Sequence, residues 1–184
     1  SSRSPFYEQK IMISKISLLG NPTPLVELHR LPQRLGCKAR IFVKCDDMAP
    51  IGGAGNKLRK LEYLAAEALE QGADTLVTTG GLQSNHARLT AAVAARLGLR
   101  CELVLSKLVP ILSESYTQNG NVLLMHSFGA KLHILEKDED SKAYAHTLLQ
   151  DLRAAHRKPY FIPFGGSTVQ GALGYADCAQ EIAQ

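Results

Sequence analysis

The sequence lacks a Cys-x-x-Cys pair, an H-x-x-x-H or H-E-x-x-H spacing, any apolar run long enough to cross a bilayer, and any strong excess of one charge. Each absence removes a class of protein. Cys37, Cys45, Cys101 and Cys178 are widely spaced and fall mostly inside apolar segments, so a disulfide scaffold is not expected and a reducing, cytoplasmic setting is. His29, His126, His133, His146 and His156 read as surface or core side chains, and no metal site is expected. With 21 Lys and Arg against 17 Asp and Glu, the net charge of +4 is too small and too scattered to make a nucleic-acid footprint. No apolar run approaches the roughly 20 residues needed to span a membrane, and residues 1–10 lack the apolar core of a secretory signal. Neither nucleic acid nor membrane is an expected partner.

What remains is a globular composition, 45% hydrophobic and 21% charged, with no internal repeat or low-complexity tract. A chain of this size can bury about 70% of its unfolded surface, enough for one core or for one core and part of another. The sequence begins at a serine and stops at Gln184 within what reads as an unfinished helix, so a fragment is expected.

Asn21-Pro-Thr-Pro24 reads as a turn before the first ordered strand. Residues 40–44 (RIFVK) alternate and read as a strand, followed by the glycine-rich loop Ile51-Gly-Gly-Ala-Gly55. From Asn56, Leu58, Leu61, Leu64, Ala65, Ala68 and Leu69 recur at helical spacing, with Gly72 as terminator. Strands are then expected at 75–79, 101–105, 131–135 and 160–163, and helices at 84–97, 116–128, 141–155 and 171–184. A glycine turn, Gly80-Gly81, separates the first of these strands from its helix. Strands separated by single helices predict βαβ crossovers and an open, mostly parallel sheet with flanking helices, the α/β class. In such sheets ligands sit at the carboxyl ends of strands, which directs attention to residues 80–85 and 165–168.

Gly52-Gly-Ala-Gly-Asn-Lys57 is the first candidate, because glycines let a ligand approach the backbone and a lysine there can act as nucleophile. A nucleotide P-loop is rejected, since Asn56 separates the last glycine from the lysine and Leu58 follows it. Taken alone, the loop also reads as a flexible turn with a surface lysine. Lys57, Arg59 and Lys60 fall in the first turn of a helix, where the macrodipole disfavours each cation by roughly 0.3–1 kcal/mol, which points to a task. The second candidate is Thr78-Thr-Gly-Gly-Leu-Gln-Ser-Asn-His86, whose helix start offers unpaired N–H groups to a carboxylate or phosphate, with Ser84 or Asn85 adding hydrogen bonds. Ordinary capping explains one polar residue there, and Gln83 and His86 are in excess of it. A third cluster, Gly165-Gly-Ser-Thr168 with Gly171 and Gly174, reads either as a further glycine loop at a strand end or as a simple turn with helix caps. Asp46-Asp47 and residues 136–140 read as turns and solvated charge.

Asn21-Pro-Thr-Pro-Leu25, Ile41-Phe-Val-Lys-Cys-Asp-Asp47, Gly55-Asn-Lys-Leu-Arg-Lys-Leu-Glu62 and Gly80-Gly-Leu-Gln-Ser-Asn-His86 together resemble the D-cysteine desulfhydrase and 1-aminocyclopropane-1-carboxylate deaminase family. The likeness continues through Asn119-Gly-Asn-Val-Leu-Leu124 and Pro163-Phe-Gly-Gly-Ser167. This resemblance implies pyridoxal phosphate as cofactor, a small amino acid as substrate, a homodimer, and the fold type II architecture shared with tryptophan synthase β. It implies that Lys57 condenses with the cofactor aldehyde, that Asn85 bonds the ring oxygen and that Asn56 helps to hold the cofactor. Ser84, with the N–H groups of Ser84, Asn85 and His86, would hold the substrate carboxylate, and Lys57, Ser84 and His86 would carry the catalysis.

The implied reaction is β-elimination of D-cysteine to pyruvate, sulfide and ammonia, with aminocyclopropane-carboxylate deamination or L-cysteate sulfo-lyase activity as alternatives. His86 favours the desulfhydrase branch, because the deaminase branch resembles Q-S-N-Q here, while the sulfo-lyase shares Q-S-N-H. Outside the enzymes, the alternative is a truncated, inactive relative that binds small carboxylates. By the family pattern, residues 1–60 begin a larger cofactor domain, residues 61–164 form a small open α/β domain, and residues 165–184 return into the larger domain, which is incomplete. Cys45 departs from the pattern, since relatives carry arginine there.

Overall fold

A computed structural model describes residues 14–111 and 113–184. The stretch read above for a secretory signal, and with it the first part of the expected 1–60 unit, lies outside the described residues.

After residues 21–24, which carry no regular structure, the chain forms a small antiparallel pair, β1 (Leu25–Glu27) with β2 (Phe42–Lys44), joined through the short helix α1 (Arg30–Leu35). A single 3-10 turn, Asp46–Met48, and the glycine loop lead into α2 (Lys57–Glu70). Then β3 (Thr75–Gly81), α3 (Asn85–Leu97) and β4 (Arg100–Ser106) make the first crossover. Two short helices, α4 (Glu114–Gln118) and α5 (Asn121–Ser127), precede β5 (Lys131–Leu135); α6 (Ser141–Ala154), β6 (Pro159–Ile162) and α7 (Val169–Ile182) complete the order.

The four longer strands form one parallel sheet in the order β5-β4-β3-β6. Strand alternation sorts the core onto its two faces. Leu76, Leu103, Leu105 and Ile162 pack with Leu58, Leu61 and Leu64 of α2, Ala87, Leu89 and Val93 of α3, and Met125 of α5. Val77, Val104 and Leu135 face the other way, onto Ala145, Leu148 and Leu149 of α6. The expected α/β architecture with helices on both faces is therefore present. Because the chain leaves β3 toward β4 but returns in β6 on the opposite side, the carboxyl ends of β3 and β6 lie at a switch in strand order, where α/β sheets bind ligands.

Several local expectations are corrected. Gly80 and Gly81 are the end of β3, paired with Leu105 and Ser106, and not a turn. Gly80 is required for a different reason: a Cβ there would lie 2.9 Å from Ser84, so its absence lets α3 begin directly against the strand. The expected helix over 116–128 is broken at Asn119-Gly120, where Gly120 holds φ 62°, ψ −127°. Of the four cysteines only Cys101 is buried, its thiol pushed up to about 12 by desolvation.

Helices α2 and α7 cross closely because Gly174 has no side chain; a Cβ there would sit 2.2 Å from the Arg59 carbonyl oxygen. Gly174→Ala must separate the two helices, and such overpacking costs about 1–3 kcal/mol. The expected result is a lower urea midpoint with an unchanged m-value; an unchanged midpoint would show that the crossing can relax.

Candidate active site

The motif Gly55-Asn-Lys-Leu-Arg-Lys-Leu-Glu62 ends the glycine loop and opens α2, and it sends its polar side chains in different directions. Leu58 and Leu61 enter the core. Arg59, fully buried, donates to both Asp46 carboxylate oxygens at 2.9 and 2.8 Å, to both Glu181 oxygens at 3.0 Å, and to Thr23 Oγ1 at 2.9 Å. Lys44 Nζ lies 2.7 Å from Glu181, so two cations and two carboxylates neutralise one another. Asp46 is thus no solvated turn residue; its partner was signalled by the arginine placed against the dipole of a helix start. Glu62 accepts from the N–H groups of Leu18 and Leu19. Lys60 Nζ donates to the Gly165 carbonyl at 3.0 Å and to Ser167 Oγ at 3.1 Å, and burial together with Lys57 lowers its pKa.

Lys57 is the first residue of α2, half-buried, with no hydrogen bond or ion pair among the described residues. Asn56 precedes it but does not cap the helix with its side chain; its amide donates 2.8 Å to the Tyr175 hydroxyl of α7. Of the residues expected to hold a cofactor, Asn56 is thus engaged with α7.

The start of α3 faces the same corner. Ser84 Oγ accepts from the Ala87 N–H at 3.1 Å, the capping geometry, which leaves its hydroxyl proton available. The Ser84 N–H is committed to the Gly81 carbonyl at 3.0 Å, so the expected three-donor anion site reduces to the N–H groups of Asn85 and His86. Neither of these two has a partner among the described residues. Asn85 is exposed, with its Oδ1 accepting from Asn121 Nδ2 at 2.9 Å and its Nδ2 uncommitted among the described residues.

His86 is turned inward, only 3% exposed. Thr78 Oγ1 gives its proton to the Ile162 carbonyl at 2.7 Å, so it must accept from His86 Nε2 at 3.0 Å, which assigns the neutral Nε2–H tautomer. Burial, then the charges of Lys60 and Lys57, lower the imidazole pKa to about 4. Its Nδ1 is buried without a partner among the described residues. The ring lies against Gly166, where a Cβ would be 3.2 Å from His86 Cε1. The structure sets Ser84 and Asn85 at the start of α3, ties that helix through Arg88 to the loop before Lys57, and turns the His86 imidazole inward, between β3, β6 and the Gly165–Ser167 turn.

Residues without an individual role in the sequence reading join these parts. Gln83 Nε2 donates to the carbonyls of Tyr116 and Asn119, and its Oε1 accepts from the Asn121 N–H at 2.9 Å. A Cβ on Gly120 would meet that Oε1 at 2.9 Å, which explains the glycine in Asn119-Gly-Asn121. Arg88 donates to Asn121 Oδ1, to Asn85 Oδ1 and to the carbonyl of Ala54, itself held at φ 61° in the glycine loop. Cys45 Sγ faces the Val43 carbonyl at 3.7 Å, outside this corner. A separate apolar cavity of about 450 Å³ lies on the α6 face, lined by Thr79, Ala145, Leu149, Phe161 and Phe164, and contains none of the site residues.

An uncommitted lysine amine, an uncommitted amide NH2 and two free N–H groups at a helix start are the donor set that an aldehyde-bearing ring and a carboxylate require, and the corner fits them. A model of the pyridoxal-phosphate dependent enzymes matches residues 16–184. The chain belongs to that family. Within it, the chain is 48% identical over 178 residues to the D-cysteine desulfhydrase of Serratia proteamaculans, covering 96% of this chain and 53% of that relative. A solved structure described as an ACC deaminase homologue superposes with a TM-score of 0.83 at 36% identity, over 94% of this chain and 51% of that one. A fungal L-serine ammonia-lyase from Rhizomucor miehei, 17% identical over 88% of this chain and 46% of its own, shares the fold with a TM-score of 0.65. The chain spans about half the length of the curated relatives it matches.

The charge cluster sets a pH dependence. Hydrogen bonds from Arg59, outweighing burial, hold Glu181 at about 2 against an ordinary 4.5; burial raises Asp46, but its bonds to Arg59 and Thr23 prevail and lower it. A depressed folded pKa stabilises above the unfolded value and is lost as pH falls through the folded one. The urea midpoint of the wild type is therefore expected to fall between about pH 4.5 and about pH 2. Its lead over Glu181→Gln should close across that window, and a constant gap would refute the assignment. Imidazole nitrogen shifts should likewise show His86 neutral, with its proton on Nε2, down to about pH 5.

Proposed function

We propose that the chain carries the lysine-bearing half of a pyridoxal-phosphate lyase that acts on a small sulfur-containing amino acid, with D-cysteine as substrate. The observation that supports it most is the uncommitted Lys57 amine at the start of α2, directly after the glycine loop that Arg88 ties to α3, together with the uncommitted donors at the start of α3. Lys57 holds the cofactor through its ε-nitrogen, and once released it is the base placed to take the substrate Cα proton. Bound pyridoxal phosphate supplies an electron-withdrawing ring that accepts the electron pair left at Cα.

The N–H groups of Asn85 and His86 with the Ser84 hydroxyl orient the substrate carboxylate at the positive end of α3. Asn85 Nδ2 donates to the ring oxygen. His86 contributes by position: its ring fixes the first turn of α3 to Thr78 and backs the Gly165–Ser167 turn, to which Lys60 also donates. For D-cysteine the balanced outcome is loss of the Cα proton, departure of sulfide from Cβ, and hydrolysis to pyruvate and ammonia with one water consumed. The similarity to D-cysteine desulfhydrases favours this substrate; the 0.83 TM-score to an ACC deaminase homologue favours the cyclopropane amino acid as the second reading.

Borohydride reduction after addition of pyridoxal phosphate to the full chain is expected to label Lys57, and Lys57→Ala to carry no label. D-cysteine, L-cysteate and 1-aminocyclopropane-1-carboxylate assayed side by side should give the highest turnover on D-cysteine. Label on another lysine, or turnover retained in Lys57→Ala, would overturn the reading. A chain that binds small carboxylates but neither takes up the cofactor nor turns over any of the three is the inactive binding relative.

A further inference from the structure

Amide oxygens and nitrogens are assigned by their partners, and around Asn85 the partners leave no choice. Arg88 is a donor only, so the Asn121 atom 2.9 Å from its guanidinium is an oxygen. The other end of Asn121 is then the NH2, and it lies 2.8 Å from the Gln83 carbonyl, an acceptor only, which gives the same assignment independently. That NH2 also lies 2.9 Å from Asn85, whose atom there must be the oxygen. Arg88, at 3.3 Å, makes a second donor to the same oxygen.

We infer that Arg88 and Asn121 are positioning residues that lock the Asn85 amide with its oxygen inward and its NH2 toward the cleft. The need for such a lock follows from the symmetry of an amide: a half-turn of the Asn85 side chain presents an acceptor in place of a donor at nearly unchanged shape. An exposed asparagine has no intrinsic preference between the two. Arg88 supplies one in a way a carboxylate-paired arginine could not. Among the described residues all of its partners are neutral, its Nε is buried without a partner, and its remaining donors are spread over Asn121, Asn85 and Ala54. The same fork therefore couples the orientation of Asn85 to the glycine loop that precedes Lys57. Gly120 completes the arrangement, since only without a side chain can the α4–α5 junction approach Gln83 closely enough to place Asn121.

This inference rests on the cofactor-binding reading, but its first test does not need the cofactor. In the full chain, NMR exchange measurements should find the Asn121 side-chain amide protons protected and those of Asn85 exchanging freely; protected Asn85 protons beside exposed Asn121 protons would overturn it. The second test is a cycle on pyridoxal phosphate affinity. Asn121→Asp, which replaces the inward donor by an acceptor and so favours the flipped amide, and Asn85→Ala are each expected to weaken binding about tenfold, the scale of one lost hydrogen bond to a charged group. The double variant should bind no more weakly than Asn85→Ala alone, because Asn121 acts through Asn85. Losses that multiply, or an Asn121→Asp variant that binds like wild type, would refute the positioning role. Should Asn121→Asp not fold, Arg88→Lys takes its place in the same cycle. A wild-type chain that does not take up the cofactor on Lys57 refutes the functional reading instead, and the exchange pattern still decides the orientation of Asn85.

Discussion

The structure depends on a single buried guanidinium. Arg59 lies in the first turn of α2, and its three guanidinium nitrogens make five contacts with Asp46, Glu181 and Thr23, which belong to three separate parts of the chain. Successive residues of a helix project about 100° apart, so once Arg59 is fixed the directions of Lys57, Lys60 and Glu62 are fixed with it. Glu62 adds a second point of attachment at the Leu18 and Leu19 N–H groups, and with two such points α2 cannot turn about its axis. Removing one member of a buried, paired cluster typically costs about 3–5 kcal/mol, because the partners left behind remain desolvated. The positioning of Lys57 thus draws on electrostatics on the far side of its own helix.

Much of this fold could be read in the sequence, because it is carried by periodicity. Leu58, Leu61, Leu64, Ala65 and Ala68 announce α2 through helical spacing, and the alternation of strands with single helices announces the parallel sheet. The readings that failed share a cause: they concern glycines and polar residues whose partners are distant in sequence. Gly80 and Gly81 read as a turn because glycine is permissive, yet β4 extends the strand through them. Residues 116–128 have a continuous helical pattern, and only the Gln83 side chain, more than thirty residues earlier, requires the break at Gly120. Arg59, Asp46 and Glu181 could not be joined from spacing alone, although an arginine in the first turn of a helix is by itself a signal that some carboxylate must oppose the dipole.

The candidate site divides in the same way. Lys57, Ser84 and Asn85 stand out because a glycine loop and a helix start are local features. The inward turn of His86 was not readable, since it depends on Thr78 and on the Ile162 carbonyl of a neighbouring strand. Arg88 could have been suspected from its place one turn beyond Ser84 on the same helix, but its three neutral partners come from the glycine loop, from α3 and from α5.

The charges around the corner also select what it can bind. Lys57, Lys60, Arg88 and the positive end of α3 lie around it, while three carboxylates packed on α2 are engaged elsewhere: Asp46 and Glu181 by Arg59, and Glu62 by Lys15 and two N–H groups. The resulting field explains the neutrality of His86, because a further positive charge in a buried ring beside two lysines is unfavourable twice over, by desolvation and by repulsion. A neutral imidazole keeps Nε2–H as a fixed donor to Thr78, so the ring can bind α3 to the sheet without competing for an anion. An anionic ligand is then the species that lowers the energy of the corner, and a substrate carboxylate at the α3 start meets both the free N–H groups and the surplus positive charge. The same electrostatic arrangement that holds the helices in register thus leaves their meeting point attractive to an amino acid's carboxylate.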